Sequence, residues 1–283
     1  MASKITVIDV SSWNPSVNWA RVAKSVDGVI IRAGYRGTGG GLATDKLFWQ
    51  FIHGAIGAGI KRIGVYWWTT HNTVRQAQAD ADYIINLLRP YREHINFGVW
   101  LDSEAPRGSS GKNGSAFLRL SSAVRTTCHL SFLSAVRSAG YSVGVYASDS
   151  WFVERLVLSR LSDYPLWVAK YGKVPPKMVK LYAGWQYTST GRVSGISNGV
   201  DMSYFYPGVT AGGKIIEVTY DMDTLKKGDK GQQVRALQKL LGGIAVDGDF
   251  GTETRAAVEA YQRQYKLDVD GIVGPKTWAV LLG

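Results

Sequence analysis

The stretch VWLDSEAP, residues 99–106, closes an apolar run with two carboxylates, Asp102 and Glu104, two positions apart. Side chains alternate along an extended chain, so both acids face one space and Ser103 faces the other way. Carboxylates held that close resist joint ionisation, and one of them keeps its proton near neutral pH. That is a setting for acid and base chemistry. A DxE pair also occurs at solvated strand ends, so it gains meaning only from other groups brought to the same place.

Eight short runs rich in Val, Ile and aromatics recur along the chain: KITVIDV, GVIIRAG, RIGVYWW, FGVWLDSE, SVGVYAS, PLWVAKY, LYAGWQY and VDMSYF. The first five are each followed by a segment with apolar residues every three or four positions, such as NWARVAKSV and TVRQAQADADYIINLLRP. Beyond Tyr171 no good helix separates the strands. Strand–helix alternation predicts an α/β fold with a mainly parallel sheet, and eight such strands suggest a TIM-like barrel whose last third has lost its helices. An open doubly wound sheet is the competing arrangement.

In either arrangement a site belongs at the carboxyl ends of the strands. The first strand ends at Asp9, the third in Tyr66 and Trp67, the fourth in Asp102 and Glu104, and the fifth in Tyr146. The sixth carries Trp167 and Tyr171, the seventh Trp185 and Tyr187, and the eighth opens with Asp201. Any one of these aromatics can be core, and Asp9 or Asp201 alone can cap a turn. Together they describe an acidic slot walled by flat apolar rings. Sugars offer CH faces to rings and hydroxyls to carboxylates, so a carbohydrate site is the natural inference.

Other chemistries find less support. The single Cys128 excludes an internal disulfide, and His53, His71, His94 and His129 show no ligand spacing, so neither a metal nor another cofactor is expected. The run RGTGGG, residues 36–41, lacks the order of a phosphate-binding loop and reads as a flexible loop. No segment approaches the roughly 18 apolar residues that span a bilayer. MASKITVIDV has no signal-peptide pattern, so synthesis in the cytosol is expected. The net charge of +11 falls entirely on residues 1–220, with 24 Lys plus Arg against 13 Asp plus Glu. Such a field favours an anionic polymer, but no basic helix or arm resembles a nucleic-acid reader.

The segments IDVSSWN, VIIRAGY, IGVYWW, WLDSE, WVAKY and WQYTSTGRVSGISNGVDMSYF, in this order and spacing, resemble the family 25 glycoside hydrolases, the muramidase-type lysozymes. The resemblance covers about residues 4–207. It implies an irregular (β/α)5(β)3 barrel and hydrolysis of the β-1,4 bond between N-acetylmuramic acid and N-acetylglucosamine in peptidoglycan. It also implies that Glu104 is the proton donor, Asp102 its assisting carboxylate, and Asp9 and Asp201 further acids of the slot. An oxocarbenium-like transition state needs this pairing of proton donor and negative charge. Whether a carboxylate, the substrate's acetamido oxygen or water attacks stays open at this level. Two departures stand out: Ser103 replaces a common Val or Ile and, pointing away, should matter little, whereas Trp67-Trp68 replaces a common His-Phe and bears on sugar fit.

The chain thus divides into a catalytic barrel at 1–208, a linker at 209–224 containing a short strand, and a small all-α domain at 225–283. The last part carries V-D-G-x-x-G-x-x-T twice, at Val246–Thr254 and Val269–Thr277, with helices expected near 231–241, 252–265 and 275–282. The Thr of each repeat is placed for helix capping. This part resembles the three-helix peptidoglycan-binding domains, which implies bacterial peptidoglycan as partner, with no nucleic acid, membrane insertion or obligatory protein partner. The resemblance as a whole suggests a phage endolysin made in the host cytoplasm and acting on the wall after release. A non-catalytic wall-carbohydrate binder on the same barrel is the alternative.

Overall fold

Strand β1 (Ile5–Val10) pairs in parallel with β2 (Gly28–Arg36), and the short α1 (Trp19–Val22) joins them. The chain continues through β3 (Leu42–Thr44), α2 (Phe48–Gly57), β4 (Ile63–Trp68), α3 (Val74–Leu88), β5 (Ile95–Asp102), α4 (Ser122–Ser138), β6 (Val143–Ser148) and α5 (Asp149–Arg155). Then come β7 (Leu166–Ala169), β8 (Gly184–Gly191) and β9 (Val200–Phe205) with no α-helix between them. The computed structural model describes residues 4–106, 116–179, 182–206 and 224–282.

The sheet order is β1-β9-β8-β7-β6-β5-β4-β2-β3, and the β1–β2 pairing closes the first eight of these into a barrel. Around the barrel the neighbours β1, β2, β4, β5, β6, β7 and β8 run parallel, whereas β9 runs antiparallel to both β8 and β1 and the short β3 pairs antiparallel with β2 outside the closed sheet. The closed sheet settles the choice against an open doubly wound one. The run 36–41 joins β2 to β3 as the tip of a hairpin, with Gly37 N–H donating to Gly41 O at 2.9 Å.

Ser and Thr start the crossover helices. Thr73, Ser121 and Ser148 accept from the backbone N–H of Gln76, Val124 and Trp151 at the starts of α3, α4 and α5, which satisfies donors no helical carbonyl can reach. The outward residues of the strands and the inner helix faces form the larger core, with Phe48, Phe51, Trp67, Phe132 and Phe152 fully buried. A second core fills the barrel: Val7, Ile30, Phe97, Trp100, Tyr146, Trp167 and Phe205. Close packing there explains Gly144, where a Cβ would stand 2.5 Å from the Trp100 ring.

The chain forms two compact units, Met1–Val218 and Thr219–Gly283. The expected linker strand lies outside the described residues. In the second unit α6 (Gln232–Leu241), α7 (Thr252–Gln264) and α8 (Pro275–Leu282) surround Leu237, Phe250, Val258, Val273 and Trp278. The repeated motif builds the same clasp twice. Buried Gln238 donates to Asp247 Oδ1 and Thr254 Oγ1 and accepts from Gly248 N–H at 2.8 Å, and Gln262 does the same with Asp270, Thr277 and Gly271 at 3.0 Å. Gly248 and Gly271 sit at φ +80° and +70°, where any Cβ would be strained. The expected Thr caps are not caps. Gly251 holds the N-cap position of α7, and Thr254 and Thr277 are consumed by the glutamine clasps.

Candidate active site

The four acids expected at the strand ends meet in one cleft of about 810 Å³ at the rim of the barrel. Asp9 and Asp201 are direct partners across the antiparallel β1–β9 pair. Because β9 runs against its neighbours, its start reaches the rim where they finish, and Asp201 lands among residues from strand ends. Asp102 is the last residue of β5, partnered with Trp68 on β4 and Tyr146 on β6. Glu104 lies just past the strand end and is exposed, whereas Asp102 is only 5% exposed.

Burial is the main force on the deep acids. It pushes the Asp102 carboxyl well above the usual carboxylate range, with the charges of Glu104, Asp9 and Asp201 adding to the effect and Arg32 opposing it. Asp9 is likewise held well up by burial and then by Asp201, against a hydrogen bond that Gln186 Nε2 donates to its Oδ2 at 2.9 Å. Asp102 Oδ1 is buried without a hydrogen-bond partner. Such a carboxyl favours a proton until something else enters the slot. Arg32, the cation among the described residues lining the slot, is already ion-paired with Asp45 at 2.5 Å, so it neutralises the slot only in part.

Tyr66, Tyr146, Trp167 and Tyr171 line the cleft as expected. Tyr146 donates to Gln186 Oε1 at 2.8 Å, and Trp167 donates to Ser203 Oγ at 3.0 Å from a fully buried floor position. Tyr171 is 59% exposed at the mouth, and its phenol is pushed up to about 12 by partial burial and by Asp201, Asp9 and Glu104. Phenols so placed stay protonated and can donate to a ligand.

Three expected ring positions lie elsewhere. Trp67 faces outward from β4 into the core beneath α3, 5.4 Å from the Tyr83 ring, and its neighbour Trp68 lines the cleft instead. Trp185 and Tyr187 also face out of the barrel. Trp185 donates to the Lys170 carbonyl at 2.7 Å, and Tyr187 stacks on Tyr204 with ring centroids 4.2 Å apart. One cause explains all three: alternation along β4 and β8 points Tyr66, Trp68 and Gln186 inward and their neighbours outward. Parity applied to these two strands would have selected Trp68 and Gln186. Trp13, Asn14 and Arg32 also line the cleft; they lie in the segments IDVSSWN and VIIRAGY but were not among the expected site residues.

Among the described residues no group of three or more His, Cys, Asp or Glu side chains is arranged to hold a metal ion, and no helix is long and apolar enough to cross a membrane. A side basin of about 360 Å³, lined by Tyr35, Lys46 and Thr44, shares Trp13, Arg32 and Trp68 with the main cleft.

Residues 8–196 match the model of the glycosyl hydrolases family 25, and residues 230–281 match that of a peptidoglycan binding domain. The chain is 32% identical over 276 residues to the autolytic lysozyme of Clostridium acetobutylicum, which covers 95% of this chain and 76% of that protein. Among solved structures it is similar to the autolysin LytC of Streptococcus pneumoniae bound to a synthetic peptidoglycan ligand, at 27% identity and TM-score 0.61. That match spans 72% of this chain and only 47% of LytC. It also resembles the catalytic domain of the endolysin ply40 from bacteriophage P40 of Listeria monocytogenes, at 25% identity and TM-score 0.59, over 73% of this chain and 95% of that domain. A closed barrel with five strand–helix units and three further strands, its acids gathered at the rim, therefore has its place: the chain belongs to the family 25 glycosyl hydrolases.

Proposed function

We propose that this chain is a peptidoglycan hydrolase, an N-acetylmuramidase that cuts the β-1,4 bond between N-acetylmuramic acid and N-acetylglucosamine. The observation that carries the reading is the meeting of Asp9, Asp102, Glu104 and Asp201, from three strands and one strand extension, in a cleft walled by Trp13, Trp68 and Tyr171. Sugar CH faces pack on these rings, and the polymer lies along the rim. Glu104, at the mouth, delivers the proton to the bridging oxygen as the bond breaks. The positive charge developing on the sugar ring favours the ionised form of the acids below it, and a carboxyl there that gives up its proton stabilises that charge. Tyr146 and Gln186 hold Asp9 in place through hydrogen bonds, with Tyr146 tied to Gln186 and Gln186 to Asp9.

The second unit serves as an anchor on the same polymer, which raises the local concentration of glycosidic bonds at the cleft. We place the action of the enzyme at the bacterial wall, in an endolysin role supported by its likeness to the phage enzyme.

Glu104→Gln is expected to abolish release of new reducing ends from purified walls while wall binding persists. Mass spectrometry of wild-type digests should show muramic acid at those ends. Glucosamine there, severed peptides, or full turnover by Glu104→Gln would each overturn the reading, and a barrel that binds without cutting would give no new ends at all.

A further inference from the structure

Glu104 stands beyond the last residue of β5, so the sheet alone does not fix it. The residue between the two acids does. Ser103 is fully buried on the far side of the strand end, and its N–H donates to the Tyr146 carbonyl at 2.9 Å. Its hydroxyl accepts from Trp151 Nε1 at 3.0 Å and lies 2.8 Å from His129 Nε2. From there a buried chain continues: His129 Nδ1 to His71 Nε2 at 2.8 Å, and His71 Nδ1 to Asp80 Oδ2 at 3.0 Å. Arg36 pairs with Asp80 at 2.6 Å, and the Thr69 hydroxyl donates to it at 2.7 Å.

The carboxylate at one end sets the direction of every bond. Asp80 accepts, so His71 carries its proton on Nδ1 and accepts at Nε2. His129 then donates from Nδ1 and accepts at Nε2, and Ser103 donates its hydroxyl proton to it. Both rings are neutral in this order. Burial holds His129 well below the usual imidazole range, with His71 and Arg125 adding to it, and burial lowers His71 against the opposite pull of Asp80. The groups facing the pair are Asp80 from α3, Arg36 from β2 and Arg125 from α4. The same two rings that grip Ser103 also grip Phe117, which stacks 6.4 Å from His129 and 6.1 Å from Trp151 and gives its carbonyl to Arg125 at 2.7 Å. His129 and Trp151 thus hold the chain both before Glu104 and after it.

We propose that Ser103 is a positioning residue for Glu104 and Asp102, held by a relay of His129, His71 and Asp80 and by Trp151. This inference rests on the glycosidase reading above, and it reverses the expectation that a residue pointing away from the slot matters little. A hydroxyl anchored to two helices fixes the backbone between the two acids, and with it the spacing on which proton delivery depends.

The test uses the full chain on solubilised peptidoglycan fragments, alongside wild type and Glu104→Gln, whose activities decide the glycosidase reading independently. Ser103→Ala should lower kcat by about ten- to a hundred-fold with KM little changed. The alkaline limb of its kcat/KM profile should move to lower pH, because weaker repulsion between loosely spaced Glu104 and Asp102 lets the pair give up its second proton more easily. Ser103→Thr, which keeps the hydroxyl, should recover most of kcat. If Ser103→Ala fails to fold, Trp151→Phe, which removes one donor and keeps a ring, should show a smaller change in the same direction. Wild-type kcat and pH profile in a folded Ser103→Ala protein, or in Trp151→Phe should that be the one that folds, would overturn the proposal whatever the melting temperature does, as would Ser103→Thr behaving like Ser103→Ala.

Discussion

Trp68 and Asp102 are register partners on adjacent parallel strands, so the indole and the buried carboxyl share one wall of the cleft, while Trp67 lies on the opposite face of the same sheet. The two adjacent tryptophans therefore separate function from stability. Trp67→Ala should cost about 3–5 kcal/mol in denaturant unfolding, the range for deleting a fully buried large ring. Trp68→Ala should leave the unfolding midpoint nearly unchanged and raise KM on solubilised peptidoglycan several-fold. The two variants compared by unfolding and by steady-state kinetics check both halves.

Asp102 gives a pH signature with a definite sign. Its carboxyl is raised in the native chain, so between the unfolded value near about 3.9 and the raised native value the folded state binds more protons than the unfolded one. Stability from this group is full below that window and is lost as pH rises through it. Asp102→Asn removes the penalty. The variant should melt above wild type at pH 7, the gap should close towards pH 4, and activity should fall by at least about 10²-fold. Melting curves at the two pH values test it.

In the second unit, Gln238→Ala strips a buried turn of its acceptor for Gly248 N–H and of its donor to Asp247 and Thr254. Leaving such groups unsatisfied costs about 1–3 kcal/mol. Co-sedimentation of the full chain with purified walls should weaken, while turnover of small soluble fragments should hold at the wild-type rate. Equal losses in both assays would show that the module does more than anchor.

The charge of the barrel part predicts a salt effect. Its excess of Lys and Arg over Asp and Glu acts at long range, and screening shortens to about 8 Å at physiological ionic strength. Wall association should fall steadily as salt rises, and kcat on short neutral fragments should not. Binding isotherms at several salt concentrations read this directly.

The barrel was legible because strand–helix alternation and its loss after Tyr171 are written in hydrophobic periodicity. The acids were legible because they stand at strand ends. The rings were read less well: aromatic type at a strand end says nothing about which face it takes, and only parity separates Trp68 from Trp67 or Gln186 from Trp185 and Tyr187. The relay behind Ser103 was invisible. His71, Asp80 and His129 are joined by folding alone, across separations of 9 and 58 residues, and scattered histidines carry no spacing that announces such a chain. The glutamine clasps fall between: the repeat was plain, but the residue that reads it lies outside the motif, on the preceding helix.

Below the acids, Trp100 packs edge to face on Trp167 and Phe205, these two meet at a tilt, and the three rings, with centroids 5.5–5.8 Å apart, fill the middle of the barrel. Among the described residues the floor of the cleft is therefore closed. Nothing threads through the barrel, and both pieces of a severed strand leave from the rim along which the intact one lay. An enzyme built this way has to let go sideways, so how quickly it moves to the next bond depends on how loosely the rim holds its products.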